Sequence, residues 1–150
     1  PQAEILPGTL LLDGIQDPGN LGTILRTADA LAVPVVLLPG CADVWNPKVV
    51  RASMGAAFRA VPVLMTREAA VASCRANGVR LLATALRADA HDLREETLSQ
   101  TAVIIGSEGQ GVCRELLDAA DGTVIIPMQS HCESLNAAVA ATIVMWQMRR

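Results

Sequence analysis

The stretch Ile105-Gly-Ser-Glu-Gly-Gln-Gly111 decides the fold of this chain, together with the two stretches that follow it, Ile125-Ile-Pro-Met128 and Ser134-Leu-Asn136. An apolar strand runs into a glycine-rich loop, a second apolar strand ends in Pro127, and a polar tripeptide opens a long apolar helix. Proline lacks the amide that a sheet ladder needs, so the second strand must end at Pro127 or lie at a sheet edge. This order is typical of α/β domains, in which ligands bind beyond the ends of the strands.

Strand-like and helix-like segments alternate along the whole chain. This alternation predicts an α/β fold with a parallel sheet covered by helices on both faces, and loops that meet at the carboxyl edge of the sheet. Asn20 is a plausible N-cap of the first helix, and Gly78 a plausible stop for a later one. The predicted strands are residues 9–13, 33–38, 61–65, 80–85, 103–106 and 124–126. The predicted helices are residues 20–32, 47–58, 67–77, 112–120 and about 134–147, and residues 86–98 are predicted to be a polar loop with a short helical turn.

The glycine-rich loop does not match the common nucleotide-binding motifs. Its spacing is G-x-x-G-x-G rather than the dinucleotide fingerprint G-x-G-x-x-G, and no Gly-Lys-Ser/Thr follows to make a P-loop. Two interpretations stay open. The loop is either a plain strand-to-helix turn with Glu108 near a helix N-terminus, or a ligand site in which glycines, lacking side chains, let the ligand approach the backbone.

The last helix carries a second pair of alternatives. Ser134 can cap it, whereas Asn136 would lie in its first turn, where asparagine is unfavourable unless its amide is used. The helix is apolar around much of its circumference, so it is either simply buried or covers a dimer interface with its second face.

Two polar segments upstream supply further candidates. Asp17-Pro-Gly-Asn20 is a turn that breaks regular structure, and Arg26 follows it among apolar residues on a stripe suited to burial. A partly buried arginine needs an anionic partner, which a phosphate or Glu108 would provide. Lys48 and Arg51 share one predicted helical face, although this spacing is also typical of an ordinary solvated stripe.

The composition limits the class of protein. With 150 residues and 51% hydrophobic residues, the chain is predicted to be one globular domain spanning residues 1–150. No uncharged apolar run approaches the about 20 residues of a membrane span, and no secretory signal is visible. The net charge of −3 has the wrong sign for a nucleic-acid binder, so any nucleic-acid contact must depend on local clusters such as Lys48, Arg51 and Arg59, or on another domain or subunit.

The four cysteines, Cys41, Cys74, Cys113 and Cys132, are widely separated and form no C-x-x-C pair. With only two histidines available, their spacing predicts no metal site. Reduced thiols in a cytoplasmic protein are the favoured interpretation.

Together these motifs resemble the SpoU (TrmH-type) RNA ribose methyltransferases of the SPOUT superfamily, from Leu10 almost to the C-terminus. The resemblance implies an α/β domain whose C-terminal part is threaded into a trefoil knot, which is rare in proteins. It implies S-adenosylmethionine as cofactor, RNA (ribosomal or transfer) as substrate and a homodimer formed through the knot region and the last helix. Because family members often carry an N-terminal RNA-binding domain, residues 1–8 are expected to be a linker from such a domain.

The resemblance also assigns roles to individual residues. The residues matching the family's catalytic polar set are Asn20, Arg26, Glu108, Ser134 and Asn136. The residues expected to contact the cofactor, mostly through backbone atoms, are Thr84, Ala85, Leu86, Gly106, Ile126 and Leu135. Lys48, Arg51 and Ser53 are expected to face RNA.

The implied reaction is transfer of a methyl group to a ribose 2′-oxygen. Within the family Arg26 would act as a general base or as a phosphate-assisted activator. Because arginine stays protonated in proteins, we favour a clamp on the target phosphate that also stabilises the developing alkoxide, with Asn20 and Glu108 orienting Arg26.

The sequence departs from the family pattern at Ser130, where many relatives have glycine, and at Ala137-Ala138, where Val-Ser is commoner. Two alternatives accompany the main hypothesis. One is a catalytically silent SPOUT module that binds RNA or cofactor, and the other is a dinucleotide-dependent enzyme, which the glycine spacing disfavours.

Overall fold

The computed structural model describes residues 3–132 and 134–149, which form one parallel sheet with helices on both faces. Its strands are β1 (Leu10–Asp13), β2 (Val35–Leu37), β3 (Val63–Leu64), β4 (Arg80–Thr84), β5 (His91–Asp92), β6 (Thr101–Gly106) and β7 (Gly122–Ile125). Their order across the sheet is β3-β2-β1-β6-β4-β7-β5, and every neighbouring pair is parallel. The predicted architecture is therefore confirmed.

The helices divide between the two faces. They are α1 (Pro18–Leu31), α2 (Pro47–Ala52), α3 (Ala56–Arg59), α4 (Arg67–Ala76), α5 (Arg114–Ala119) and α6 (Ala137–Met148), with a short 3-10 turn at Leu93–Glu95. Side chains alternate along each strand, so Leu10 and Leu12 pack into a cluster with α1 and α6, whereas Leu11 packs into a second cluster with α4 and α5. The sheet is thus buried on both sides.

One predicted helix is interrupted, and two helices are capped by other residues than predicted. The predicted helix 47–58 is two helices, since Met54 and Gly55 adopt positive φ angles of 52° and 89° that a right-handed helix cannot accommodate. Asp17, rather than Asn20, caps α1 by accepting a hydrogen bond from the Asn20 amide. Asn136, rather than Ser134, caps α6.

Two other segments also differ from expectation. The polar segment 86–98 contains the short edge strand β5 as well as the expected helical turn. Ile5 is fully buried, its amide donates to Ser73 Oγ at 2.8 Å, and its carbonyl accepts from Asn77. Ile5 is therefore part of the packed core beside α4.

No helix in residues 3–132 and 134–149 has both the length and the hydrophobicity that crossing a bilayer requires.

Candidate active site

A cleft of about 690 Å³ lies at the carboxyl edge of the sheet, beyond the ends of β4, β6 and β7, and the start of α6 closes it on one side. We call it the strand-end cleft. All six residues expected to contact a cofactor line it, namely Thr84, Ala85, Leu86, Gly106, Ile126 and Leu135. Most of the other side chains in its wall are apolar. Among the described residues that line the cleft, Glu108 alone is charged. The cleft is therefore apolar with an acidic mouth.

The glycine-rich loop closes on itself beside this cleft. Gly111 N donates to Ser107 O at 2.8 Å, and a side chain on Gly106 would place its Cβ 2.0 Å from the carbonyl carbon of Gly111. Backbone atoms cannot move away as a flexible side chain can, so position 106 admits only glycine. Gly106 is therefore required because the backbone at Gly111 and Val112 passes close to it. The sequence pattern alone could not distinguish this contact from close approach by a ligand.

A second depression of about 510 Å³ lies next to the strand-end cleft, between the loop after β1 and the glycine-rich loop. It is bordered by Gln16, Asp17 and Asn20 on one side, and it shares Ser107, Glu108 and Ala137 with the first cleft. Two ligand-sized spaces thus meet along one wall, and Glu108 stands at their boundary.

Three of the five predicted catalytic residues form one hydrogen-bonded network at that boundary. Asn20 Nδ2 donates to Glu108 Oε1 at 3.2 Å, and Asn136 Nδ2 donates to Asn20 Oδ1 at 3.1 Å. Glu108 Oε1 also accepts from the amide of Ala137 at 3.0 Å, in the first turn of α6, where a carboxylate is favoured by the helix dipole. These bonds join α1, the glycine-rich loop and α6, and they fix the orientation of both amides.

Asn136 has a structural role that the sequence interpretation missed. Its Oδ1 accepts from the amides of Ala138 and Val139, at 2.8 and 3.2 Å, so the asparagine is the N-cap of α6 rather than an unfavourable first-turn residue. Ser134 lies in the wall of the strand-end cleft and is exposed, so it remains available to a ligand there.

Arg26 differs most from its predicted environment. Although its neighbours Ile24, Leu25 and Ala28 are buried, Arg26 points outward and is exposed. Among the residues that the structure describes, none forms a hydrogen bond or ion pair with its guanidinium. The expectation that Asn20 and Glu108 orient Arg26 is not met, because the bonds described above already engage both side chains with each other and with α6.

The three residues predicted to face RNA differ in their exposure to solvent. Lys48 and Arg51 are exposed on α2, and neither has a side-chain partner within the described part of the chain. Ser53 is fully buried, and its hydroxyl donates to Val50 O and accepts from the Ala57 amide. Contrary to expectation, Ser53 cannot face RNA and instead stabilises the turn between α2 and α3.

One polar group near the site was missed altogether. Asp13 is buried at the end of β1, where one carboxylate oxygen accepts from Arg67 at 2.9 Å and the other accepts from the Cys113 amide at 2.9 Å. The hydrogen bond that Arg67 donates to Asp13 raises the pKa of Arg67 above its ordinary value. This acid ties the far end of the glycine-rich loop to β1 and α4. The signal for it in the sequence is an aspartate ending the apolar strand Leu10–Asp13.

Comparison with known proteins identifies the family. Residues 7–146, nearly the whole chain, match the SpoU rRNA Methylase family. The chain belongs to this family. Among its SpoU relatives, the 23S rRNA (guanosine(2553)-2′-O)-methyltransferase RlmP of Bacillus subtilis is 40% identical over 93% of this chain and 57% of its own.

Two solved structures extend the comparison. The AdoMet-bound rRNA methyltransferase from Sinorhizobium meliloti superposes with a TM-score of 0.89 and 35% identity, over 97% of this chain and 58% of the other. The SpoU methyltransferase AviRb from Streptomyces viridochromogenes, in complex with the cofactor AdoMet, gives a TM-score of 0.84 and 32% identity over 97% and 61%. The chain spans about three fifths of the length of these three relatives.

Proposed function

We propose that this chain is the catalytic domain of an S-adenosylmethionine-dependent methyltransferase acting on a ribose 2′-oxygen of RNA. The observation that carries the proposal is the wall shared by two ligand-sized spaces, where Asn20, Glu108 and Asn136 are linked by hydrogen bonds. Methyl transfer needs two substrates held face to face, and this arrangement offers each of them a separate space with a polar boundary.

The strand-end cleft fits the proposed cofactor chemically. An adenine ring and a methionine chain suit aliphatic walls and backbone groups at strand ends, which Ala85, Ile126 and Leu135 provide. A sulfonium centre is cationic, and Glu108 supplies an opposite charge at the mouth of the cleft. When bound, S-adenosylmethionine supplies a methyl group that its sulfonium centre has already activated for transfer.

The protein's own residues would then position the ribose and stabilise its 2′-oxygen while the hydroxyl proton passes to solvent. The second depression would hold the target nucleotide with its 2′-oxygen toward Ser107 and Glu108. Arg26 is exposed and unpaired among the described residues, so its guanidinium is free to bind the target phosphate and to stabilise negative charge developing on the 2′-oxygen. Asn20 and Asn136 would keep the boundary between the two spaces rigid.

Two architectural features of the family are also proposed for this chain. β6 lies between β1 and β4, β7 lies beyond β4, and α6 then returns to pack on α1 and β6. This path after β6 supports the trefoil knot. On α6 the side chains of Val139, Ile143 and Trp146 are exposed at helical spacing, which supports a homodimer formed through that face.

Isothermal titration with S-adenosylmethionine tests the cofactor. We expect saturable binding at about one site per subunit. Arg75→Ala is the matched control and should bind equally well, because Arg75 is exposed on α4, which packs on the face of the sheet opposite α1 and α6. Absence of binding by the folded protein would contradict the methyltransferase proposal.

Transfer of a labelled methyl group to ribosomal or transfer RNA transcripts tests the activity. We expect Arg26→Ala to bind S-adenosylmethionine normally but to lose roughly 100-fold in transfer rate, because it removes charge stabilisation at the reacting oxygen. Cofactor binding without transfer to any RNA by the wild-type protein would favour the silent binding module.

A further inference from the structure

We propose that Trp45 and Phe58 form a stacking platform for an unpaired base of the substrate RNA, beside a phosphate held by Lys48 and Arg51. This inference rests on the proposed function, because it adds a binding site for the RNA of the same reaction. We call the pair of rings the aromatic platform.

The first observation is that the core of this protein contains no aromatic side chain. The chain has two tryptophans, one phenylalanine and no tyrosine. Trp45, Phe58 and Trp146 are 52%, 65% and 64% exposed. Aromatic side chains usually contribute much of the buried apolar area of a core, and these three contribute little to it. Their exposure therefore indicates that they take part in binding at the surface.

The second observation is that two of the three rings form one surface. The centroids of Trp45 and Phe58 lie 5.6 Å apart, with their planes inclined at 37°. The backbone under Trp45 is held in place, since its amide donates to Asp43 Oδ1 at 2.9 Å and the next residue, Asn46, caps α2. The backbone that carries Trp45 is therefore fixed before any ligand arrives, which lowers the entropic cost of stacking.

The third observation concerns charge. Six of the eleven described Lys and Arg side chains form ion pairs with carboxylates, so most cations of this chain are neutralised locally. Lys48 and Arg51 are exceptions, and both lie on α2 directly after Trp45. Unpaired cations beside an exposed aromatic pair match a nucleotide, which presents a phosphate next to a flat base, better than they match an apolar protein surface.

The fourth observation places the platform on the same edge of the sheet as the active site. The loop from β2 to Trp45 is bonded to the loop after β1, because Ala42 N donates to Ile15 O at 2.9 Å. Ile15 borders the second depression together with Asn20. On the other side Trp45 borders an open cleft of about 1080 Å³ at the ends of β2 and β3. A strand of RNA with one nucleotide in the second depression can thus continue towards the platform.

Tryptophan fluorescence provides the test. In a Trp146→Phe background Trp45 is the sole tryptophan, so its emission reports the platform alone. The probes are a short single-stranded oligouridylate and an abasic ribose-phosphate strand of equal length. We expect oligouridylate to quench Trp45, and the abasic strand, which keeps the phosphates but lacks bases, to leave the emission nearly unchanged.

Affinity measurements complete the test. We expect Trp45→Ala to weaken oligouridylate binding about tenfold and Trp45→Phe to restore most of the loss, since any aromatic face can stack. Val61→Ala is the matched control, because Val61 is about as exposed as Trp45 but borders a separate cleft that Trp45 does not line, and it should bind like the wild type. Circular dichroism verifies that each variant is folded.

Several outcomes would overturn the inference. These are equal quenching by the abasic strand, unchanged oligouridylate affinity in Trp45→Ala, or self-association in sedimentation experiments that Trp45→Ala abolishes while RNA binding persists. The last outcome would make the platform a protein-binding surface. Titration with S-adenosylmethionine separates these failures from failure of the proposed function, since cofactor binding does not involve Trp45.

Discussion

Asn136 uses one amide group for two purposes, and suitable substitutions can separate them. Its oxygen caps α6 and its nitrogen donates to Asn20. Asn136→Ala removes both and should lower the free energy of unfolding by about 1 kcal/mol. Asn136→Ser retains a capping oxygen but cannot reach Asn20 in the same way, so it should cost only a few tenths of a kcal/mol. Urea denaturation of the two variants measures the difference.

The same two variants test the network at the site. If the bond to Asn20 orders the boundary between the two spaces, Asn136→Ser should weaken S-adenosylmethionine binding or methyl transfer nearly as much as Asn136→Ala does. Full activity in Asn136→Ser would show that Asn136 serves only as a helix cap.

Ionisation of the Cys74 thiol should lower the free energy of unfolding at alkaline pH. Burial in the cluster under α4, and then the negative charge of Asp121, raise the pKa of its thiol from 9.0 to about 11. As the pH rises, the unfolded chain loses this proton first, so unfolding becomes more favourable between about pH 9 and 11. Below the unfolded pKa this contribution is constant. The expected loss is about 2 kcal/mol at pH 11.

Urea denaturation at pH 7 to 11 checks this prediction in the wild type and in Cys74→Ala. Every other titratable group, including the three remaining cysteines, is common to both proteins, so the difference between their pH profiles reports the Cys74 thiol. Cys74→Ala should be less stable at pH 7 but should lose less stability towards pH 11. Parallel pH profiles for the two proteins would contradict the assignment.

The sequence predicted which residues belong to the site, but not whether each side chain is buried or exposed. Asn20, Glu108 and Asn136 were correctly expected to meet, because polar residues after parallel strands converge at one edge of the sheet. The exposure of Arg26 was missed because helical spacing alone could not fix which side of the apolar stripe it occupies. The burial of Ser53 was missed because residue spacing could not show that α2 ends against α1, beside Gly22.

At the scale of elements, the contact between α1 and α2 depends on Gly22. A Cβ at this position would lie 2.5 Å from Ala52 Cβ and 2.6 Å from Val49 O, so a side chain forces the helices apart. Gly22→Ala should lower the free energy of unfolding by about 2 kcal/mol. It should also shift Lys48 and Arg51 relative to α1.

Gly109→Ala is the matched control for this prediction. A Cβ at Gly109 meets no atom within 4 Å and its φ angle is not positive, so this variant should unfold within about 0.5 kcal/mol of the wild type. Thermal or urea denaturation compares the two. Equal stability of both alanine variants would mean that α1 and α2 separate without cost.

Apolar runs and Pro-Gly breaks were sufficient to predict the long strands and helices within a few residues. The failures occurred where a local backbone state overrides periodicity. The break at Met54 and Gly55 was hidden inside an apolar helical pattern, and β5 is a two-residue strand whose pairing with β7 depends on tertiary structure. Similarly, only the folded loop explains why Gly106 is glycine.

At the scale of the whole molecule, α6 offers a test of the proposed homodimer. Ile143→Asp places a charge in the middle of the exposed stripe formed with Val139 and Trp146, so it should convert a dimer into monomers. Light scattering coupled to size exclusion measures the mass. Leu6→Asp, an equally charged change at an exposed leucine elsewhere, should leave the dimer intact. A monomeric wild type at micromolar concentration would contradict the dimer.

The position of β6 has a consequence for how the protein is made. Ribosomes complete β1 to β5 before β6, yet β6 is the strand that joins β1 to β4. A nascent chain that ends before Thr101 can therefore pair only β3, β2 and β1, while β4 and β5 have no partner strand, and these open apolar edges make the state prone to aggregation. Cotranslational folding must wait for the last third of the chain, so cells that make this protein have to shield its earlier part until the central strand emerges.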